Sequence, residues 1–148
     1  MPELNFYDAL MRLYRGVSAM QNREIRNNQY TDISVSELTI MRFIASQSAP
    51  TMSEIAAKLQ VTQGTLTVAM NRLVKKGYVD RYRMEQDRRI VRTVLTDMGY
   101  GALKEEERFR KRLQQLHKEA LGEERAKEFV SMLRELDHYL RDQEDMKE

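Results

Sequence analysis

The chain has 148 residues, which against a usual domain size of roughly 100–200 residues confines it to one compact unit or two small ones. Lys and Arg number 25 against 23 Asp and Glu; with 32% charged and 41% hydrophobic residues, 6 Gly and 2 Pro, the composition is that of a helix-rich globular protein with a solvated surface. There is no cysteine, which excludes disulfides, thiolate zinc sites, iron–sulfur clusters and thiol redox sensing.

The overall net charge of +2 conceals a gradient. Residues 1–61 carry 6 basic and 6 acidic side chains, residues 62–96 carry 8 and 3, and residues 97–148 carry 11 and 14. A basic centre between a neutral arm and an acidic one suits a surface that faces a polyanion. Glu3, Asp8, Arg12 and Arg15 interrupt the first apolar positions, so no signal-peptide core is present there. No run approaches the roughly 20 apolar residues of a membrane span. The expectation is a cytoplasmic protein with no membrane partner.

Taken in chain order, residues 4–27 place Leu4, Phe6, Tyr7, Leu10, Leu13, Val17 and Met20 at helical spacing, predicting one long amphipathic helix that ends at Asn27 and Asn28. Ser34-Val35-Ser36-Glu37 has the spacing of a capping box and is followed by Leu38, Met41, Ile44 and Ala45 at helix period. Pro50 closes the following loop, and Thr51-Met52-Ser53-Glu54 repeats the capping pattern ahead of Ile55, Ala56 and Leu59. Val61 occupies a tight connection to a helix capped by Thr62, which runs to about Lys76 with Leu66, Ala69, Met70 and Leu73 as its buried face. Gly77 stops that helix. The period then changes toward two: Tyr78–Tyr82 and Ile90–Leu95 flank the polar tip at residues 84–89, a β-hairpin. Thr96 caps a long helix to about Leu121, Gly122 breaks it, and a final helix carries Phe129, Leu133, Leu136 and Leu140.

Two short helices joined by a tight turn and followed by a hairpin predict a winged helix-turn-helix. The fold class expected is mainly α with a small β-hairpin wing, with long helices at both ends. Its first short helix braces the second so that the second enters a major groove about 12 Å wide. On a helical wheel Gly64, Val68, Asn71 and Lys75 oppose Leu66, Met70 and Leu73, with Thr67 and Arg72 on the flanks and Thr62, Gln63 and Thr65 at the N-terminal end. Gln63 and Asn71 suit adenine edges, and Val68 and Gly64 suit close approach to thymine methyls and backbone. Arg88 and Arg89 stand at the hairpin tip, where long guanidinium groups suit a narrow minor groove, and Asp87 can orient one of them by paired hydrogen bonds. Arg72, Lys75, Arg81, Arg83 and Arg92 would serve phosphates.

The segment TMSEIAAKLQVTQGTLTVAMNRLVKKGYVDRY followed by QDRRIVRTVLT resembles the MarR family of winged-helix bacterial regulators. The family's wing signature, Asp-x-Arg followed after five residues by Leu-Thr, is met by Asp87, Arg89, Leu95 and Thr96. The resemblance implies that Arg89 is the minor-groove arginine, Asp87 its support and the helix from Thr62 the recognition helix. Within the family, TDISVSEL, VTQGTLT and EQDRRIV are most similar to the Gram-positive repressors of fatty-acid biosynthesis genes, although Thr39 stands where that subgroup often carries a histidine.

The apolar stripes of the end helices, Leu10 and Leu13 in the first and Phe129, Leu133, Leu136 and Leu140 in the last, exceed what a central unit of some 60 residues can cover. Pairing across a two-fold axis answers this, as the resemblance also implies; intramolecular three-helix packing is the alternative. The organisation expected is therefore 1–33 and 97–148 as a helical dimerisation region and 34–96 as the DNA-binding region, intertwined as a single domain. An effector pocket would lie between these regions, with Tyr14, Tyr30, Met41 and Phe43 as candidate lining residues.

His117 and His138 fall on different predicted helices, so no metal site is expected. No nucleophile–base motif, phosphate loop or paired carboxylates appear, so neither enzymatic activity nor a cofactor is expected. The sequence thus points to a homodimeric, sequence-specific regulator of double-stranded DNA, a repressor tuned by a small molecule or acyl-carrier-linked effector and directed at fatty-acid biosynthesis genes. Two alternatives stay open: the same type of regulator answering aromatic or toxic small molecules, and a winged-helix protein-interaction module without DNA function.

Overall fold

A computed structural model describes residues 5–27, 30 and 32–146. In order, the elements are α1 (Phe6–Asn27), α2 (Val35–Ser46), α3 (Met52–Leu59), α4 (Gln63–Lys75), β1 (Val79–Arg83), β2 (Val91–Leu95), α5 (Asp97–Leu121) and α6 (Glu123–Asp145). Leu4 and Asn28, expected at the ends of the first helix, lie outside the described residues. The chain divides into two compact units, residues 1–108 and 109–148, with the division inside α5.

The capping residues place the helices of the first unit. Ser34 Oγ accepts from the Glu37 amide at 3.1 Å while Glu37 accepts from the Ser34 amide at 2.8 Å, and Thr51 and Glu54 repeat the exchange at the start of α3. Each box satisfies amides that a helix N-terminus would otherwise leave open. Thr62 accepts from the Thr65 amide at 3.1 Å and begins α4. That helix ends in a Schellman motif: the Gly77 amide bonds the Val74 carbonyl, the Tyr78 amide bonds the Leu73 carbonyl, and Gly77 takes φ 84°. The α3–α4 turn is tight because Gln60, a residue with a side chain, adopts the left-handed conformation at φ 54°, a state that L-residues enter at a cost.

The core of this unit joins Leu38, Met41 and Ile44 of α2, Ile55 of α3, Leu66, Met70 and Leu73 of α4, and Tyr78, Val79 and Leu95 of the hairpin. Strands β1 and β2 pair antiparallel, Val79 opposite Leu95 and Arg83 opposite Val91. A hairpin this short is marginal alone. It is tied to the α2–α3 loop by an isolated bridge between Thr51 and Arg92, and the buried Thr93 donates both its amide and its hydroxyl to the Pro50 carbonyl, at 3.0 and 2.8 Å. Thr96 caps α5, accepting from the Gly99 amide at 3.1 Å and donating to the Gly77 carbonyl at 2.6 Å.

On α1 the stripe that the central unit was expected to leave uncovered is open: Leu10 and Leu13 are exposed, as are Phe6, Tyr7 and Tyr14. In the second unit Gly122, at φ 78°, turns the chain between α5 and α6. Of the predicted α6 stripe, Phe129, Leu133 and Leu140 are exposed and Leu136 is half-buried, with Met132 and Tyr139 exposed beside them. No helix among the described residues is long and apolar enough to cross a membrane, and no group of three or more metal-ligating side chains converges among them.

Gly99 and Gly16 should respond oppositely to alanine. A Cβ at Gly99 would be driven into the Tyr78 carbonyl oxygen and lie 3.3 Å from Leu95 Cβ, whereas one at Gly16 meets nothing within 4 Å. Gly99→Ala is expected to lose about 1–3 kcal/mol in denaturant unfolding, and Gly16→Ala, in a helix interior, to be neutral or to gain up to about 1 kcal/mol.

Candidate nucleic-acid interface

Two surfaces of the first unit collect the predicted site residues. On α4, Leu66, Met70 and Leu73 are completely buried, so the opposite face turns outward: Gly64, Val68, Asn71, Arg72 and Lys75 are exposed, as are Thr62, Gln63, Thr65 and Thr67. Val68 is 53% exposed, an apolar side chain turned to solvent rather than to the core. Several of the polar groups already have local partners. The Thr62 hydroxyl donates to Thr65 Oγ1 at 2.9 Å, Thr67 donates to the Gln63 carbonyl at 2.7 Å, and Gln63 Nε2 reaches Ser53 Oγ at 3.3 Å. The last of these braces α4 against α3, a bond the sequence did not reveal.

The second surface is the hairpin tip. Asp87 receives Arg89 three ways, from its amide at 3.0 Å, from Nε at 3.1 Å and from Nη2 at 3.1 Å. The paired side-chain bonds hold the guanidinium plane in a fixed direction, while the Arg89 side chain remains 91% exposed. These bonds, the side-chain ones first, hold the Asp87 carboxyl below the usual carboxylate range. Arg88 is exposed beside it, and its carbonyl accepts from Arg83 Nη1 at 2.8 Å. The tip is built: Ile90 donates to the Asp87 carbonyl at 3.0 Å and Met84 to the Ile90 carbonyl at 3.1 Å.

Other predicted residues are placed differently. Arg92, expected on a phosphate, donates to the Ala49 carbonyl at 2.8 Å and pins the loop beneath the wing. Of the candidate pocket residues, Met41 is wholly buried in the core and has no surface to offer a ligand, Phe43 packs against that core, Tyr14 is exposed, and the Tyr30 ring lies 6.3 Å from that of Tyr78. Two buried carboxylates escaped the sequence reading. Glu106, 4% exposed, accepts from Arg42 Nη1 at 2.8 Å, and Arg42 also donates to Thr39 at 3.0 Å. Glu37, also 4% exposed, accepts from Lys76. The only sequence signal for Glu37 was its capping position, and that signal carries no information about the distant lysine.

The MarR family model matches residues 33–91, which contain α2, α3, α4, β1 and the hairpin tip and end at the first residue of β2. A curated relative, the uncharacterized HTH-type transcriptional regulator YpoP of Bacillus subtilis, is 32% identical over 91 residues, covering 62% of this chain and 64% of its own length. The match to that relative thus falls short of two thirds of its sequence. The crystal structure of Streptococcus pneumoniae FabT in complex with DNA superimposes with a TM-score of 0.78 at 30% identity, over 92% of this chain and 95% of FabT. The chain belongs to the MarR family. The Staphylococcus aureus MepR–DNA complex shares the MarR fold with a TM-score of 0.75 at 19% identity, over 93% of this chain and 99% of that one. In this MarR protein the exposed face of α4 and the Asp87–Arg89 tip belong to one compact unit.

The Asp87 carboxyl should titrate below the ordinary carboxylate value of about 3.9. Because the folded value is depressed, the tip is favoured above the unfolded value and loses that contribution as pH falls through the folded one. Carboxyl carbon shifts followed by NMR should show this low midpoint in the wild type and its return toward the ordinary value in Arg89→Ala.

Proposed function

We propose that this protein is a sequence-specific DNA-binding transcriptional regulator, acting as a homodimeric repressor on a pseudo-palindromic operator. The observation that carries the reading is the pairing, within one unit, of an outward helix face bearing Asn71, Val68 and Gly64 with a wing tip whose exposed Arg89 is aimed by Asp87. Helix α4 would read base edges in a major groove while Arg89 enters the adjoining minor groove. Arg72, Lys75, Arg81 and Arg88, all exposed, would neutralise phosphates and hold the register without reading sequence. The likeness to FabT, solved in complex with DNA, supports DNA binding, and the resemblance of TDISVSEL, VTQGTLT and EQDRRIV to the Gram-positive repressors of fatty-acid biosynthesis genes favours such genes as targets.

The homodimer rests on the open apolar stripes of α1 and α6. Patches of this kind are uncommon on soluble monomers, and a second copy of the same chain would cover them. Two-fold symmetry would set the recognition helices about one duplex turn apart, with half-sites spaced roughly 10 base pairs.

Arg89→Ala is expected to weaken binding to a duplex selected from random DNA by about 1–3 kcal/mol. Wild-type affinity should fall steeply with salt, as phosphate contacts require. Fluorescence anisotropy at several salt concentrations checks both; a flat salt response would favour a protein-interaction module. For the dimer, Leu133→Asp places a charge in the α6 stripe and should raise the dimer dissociation constant at least tenfold, since burying a leucine contributes about 1.5–3 kcal/mol. Sedimentation velocity would show the shift to single chains.

A further inference from the structure

Adjacent lysines at the end of α4 are treated differently by the fold. Lys75 is exposed, and neither it nor Arg72 has an ion-pair partner among the described residues. Lys76 turns inward: its Nζ donates to both carboxylate oxygens of Glu37 at 3.1 Å and to the backbone carbonyl of Asp32. The Glu37 side chain is only 5% exposed. A carboxylate so placed is costly to leave without a counter-charge, so the pair binds α2 to the C-terminal end of α4. A second tie lies beside it. Tyr78, 2% exposed, donates from its hydroxyl to Asp32 Oδ1 at 2.9 Å, and its ring meets that of Tyr30. Burial, then the bond to Asp32, pushes the Tyr78 hydroxyl above the usual tyrosine range, so the donor keeps its proton. Tyr30, Asp32 and Glu37, which lie between α1 and the first turn of α2, are thereby fastened on both sides of Gly77, where α4 gives way to β1.

We propose that Lys76 is a positioning residue: with Glu37, Asp32 and Tyr78 it sets the tilt of α4 relative to the segment arriving from α1, and it makes no phosphate contact. The inference rests on the DNA-binding reading given above. Its mechanical basis is leverage. The base-reading end of α4 is the one remote from the strap, and a 13-residue helix spans about 20 Å, so a tilt of about 10° at the clamp moves the far end by about 3 Å. That displacement exceeds what a bidentate hydrogen bond to a base tolerates.

The test uses the full chain, a duplex selected from random DNA by the wild type, and a scrambled duplex. Lys76→Met, and Lys76→Met combined with Glu37→Gln, should each weaken binding to the selected duplex about tenfold, leave the scrambled duplex nearly unaffected, and preserve the slope of log affinity against log salt. The double variant leaves no buried charge unpaired, so it carries the test if the single variant does not fold. Without DNA, amide exchange at residues 33–38 should be faster in the double variant than in the wild type. Uniform loss on both duplexes with a slope smaller by about one would put Lys76 on a phosphate and overturn the proposal, as would unchanged affinity or unchanged exchange. A wild type that binds no duplex removes the DNA-binding reading and the proposal with it, whereas wild-type binding indifferent to Lys76 removes the proposal alone.

Discussion

One helix can be seated on a core along only one side, and the seating of α4 governs what this protein presents to its surroundings. Leu66, Met70 and Leu73 are fully removed from water, each contributing on the order of 1.5–3 kcal/mol. Their spacing leaves Gly64, Val68, Asn71 and Lys75 on the opposite side. Rotating α4 to hide Val68 would expose those three residues, a trade the burial energies forbid. The outward face therefore follows from the inward one.

The wing depends on the same core by another route. Two strands cannot hold themselves together in water, but Val79 and Leu95 are buried at the base of the hairpin, and Thr93 and Arg92 bond the carbonyls of Pro50 and Ala49. With the base anchored, the tip is free to be polar. The Asp87–Arg89 pair, exposed as it is, adds little to stability; its physical effect is directional, holding one guanidinium plane in a fixed orientation. Polar interactions inside the unit are arranged differently. Arg42 with Glu106 and Lys76 with Glu37 join elements far apart in sequence, and because each carboxylate is buried, separation of either pair is costly.

What this arrangement leaves unused is informative too. Helices α1 and α6 each carry apolar side chains that their own units do not cover. It is on these open stripes that the proposed homodimer rests. Covering them with the same stripes of a second chain satisfies both at once.

Local chemistry made much of this architecture legible in the amino-acid order. The Ser34–Glu37 and Thr51–Glu54 boxes, the Thr62 cap, the glycine stops at 77 and 122 and the change of period after Tyr78 all act through neighbours a few residues away, and each appears where the spacing placed it, with strand ends shifted by a residue. The buried and open faces of α4 follow from the same periodicity, and the Asp87–Arg89 pair is a contact between residues two apart. Tertiary structure alone decided the rest. Nothing local distinguishes Lys76 from Lys75, or Arg92 from Arg81; partners 39 and 43 residues away make the difference. The left-handed Gln60 and Ala49 and the burial of Met41 likewise answer to packing. Backbone propensity and side-chain period are properties of a short segment, whereas the pairing of a buried charge is a property of whichever distant segment the fold brings against it.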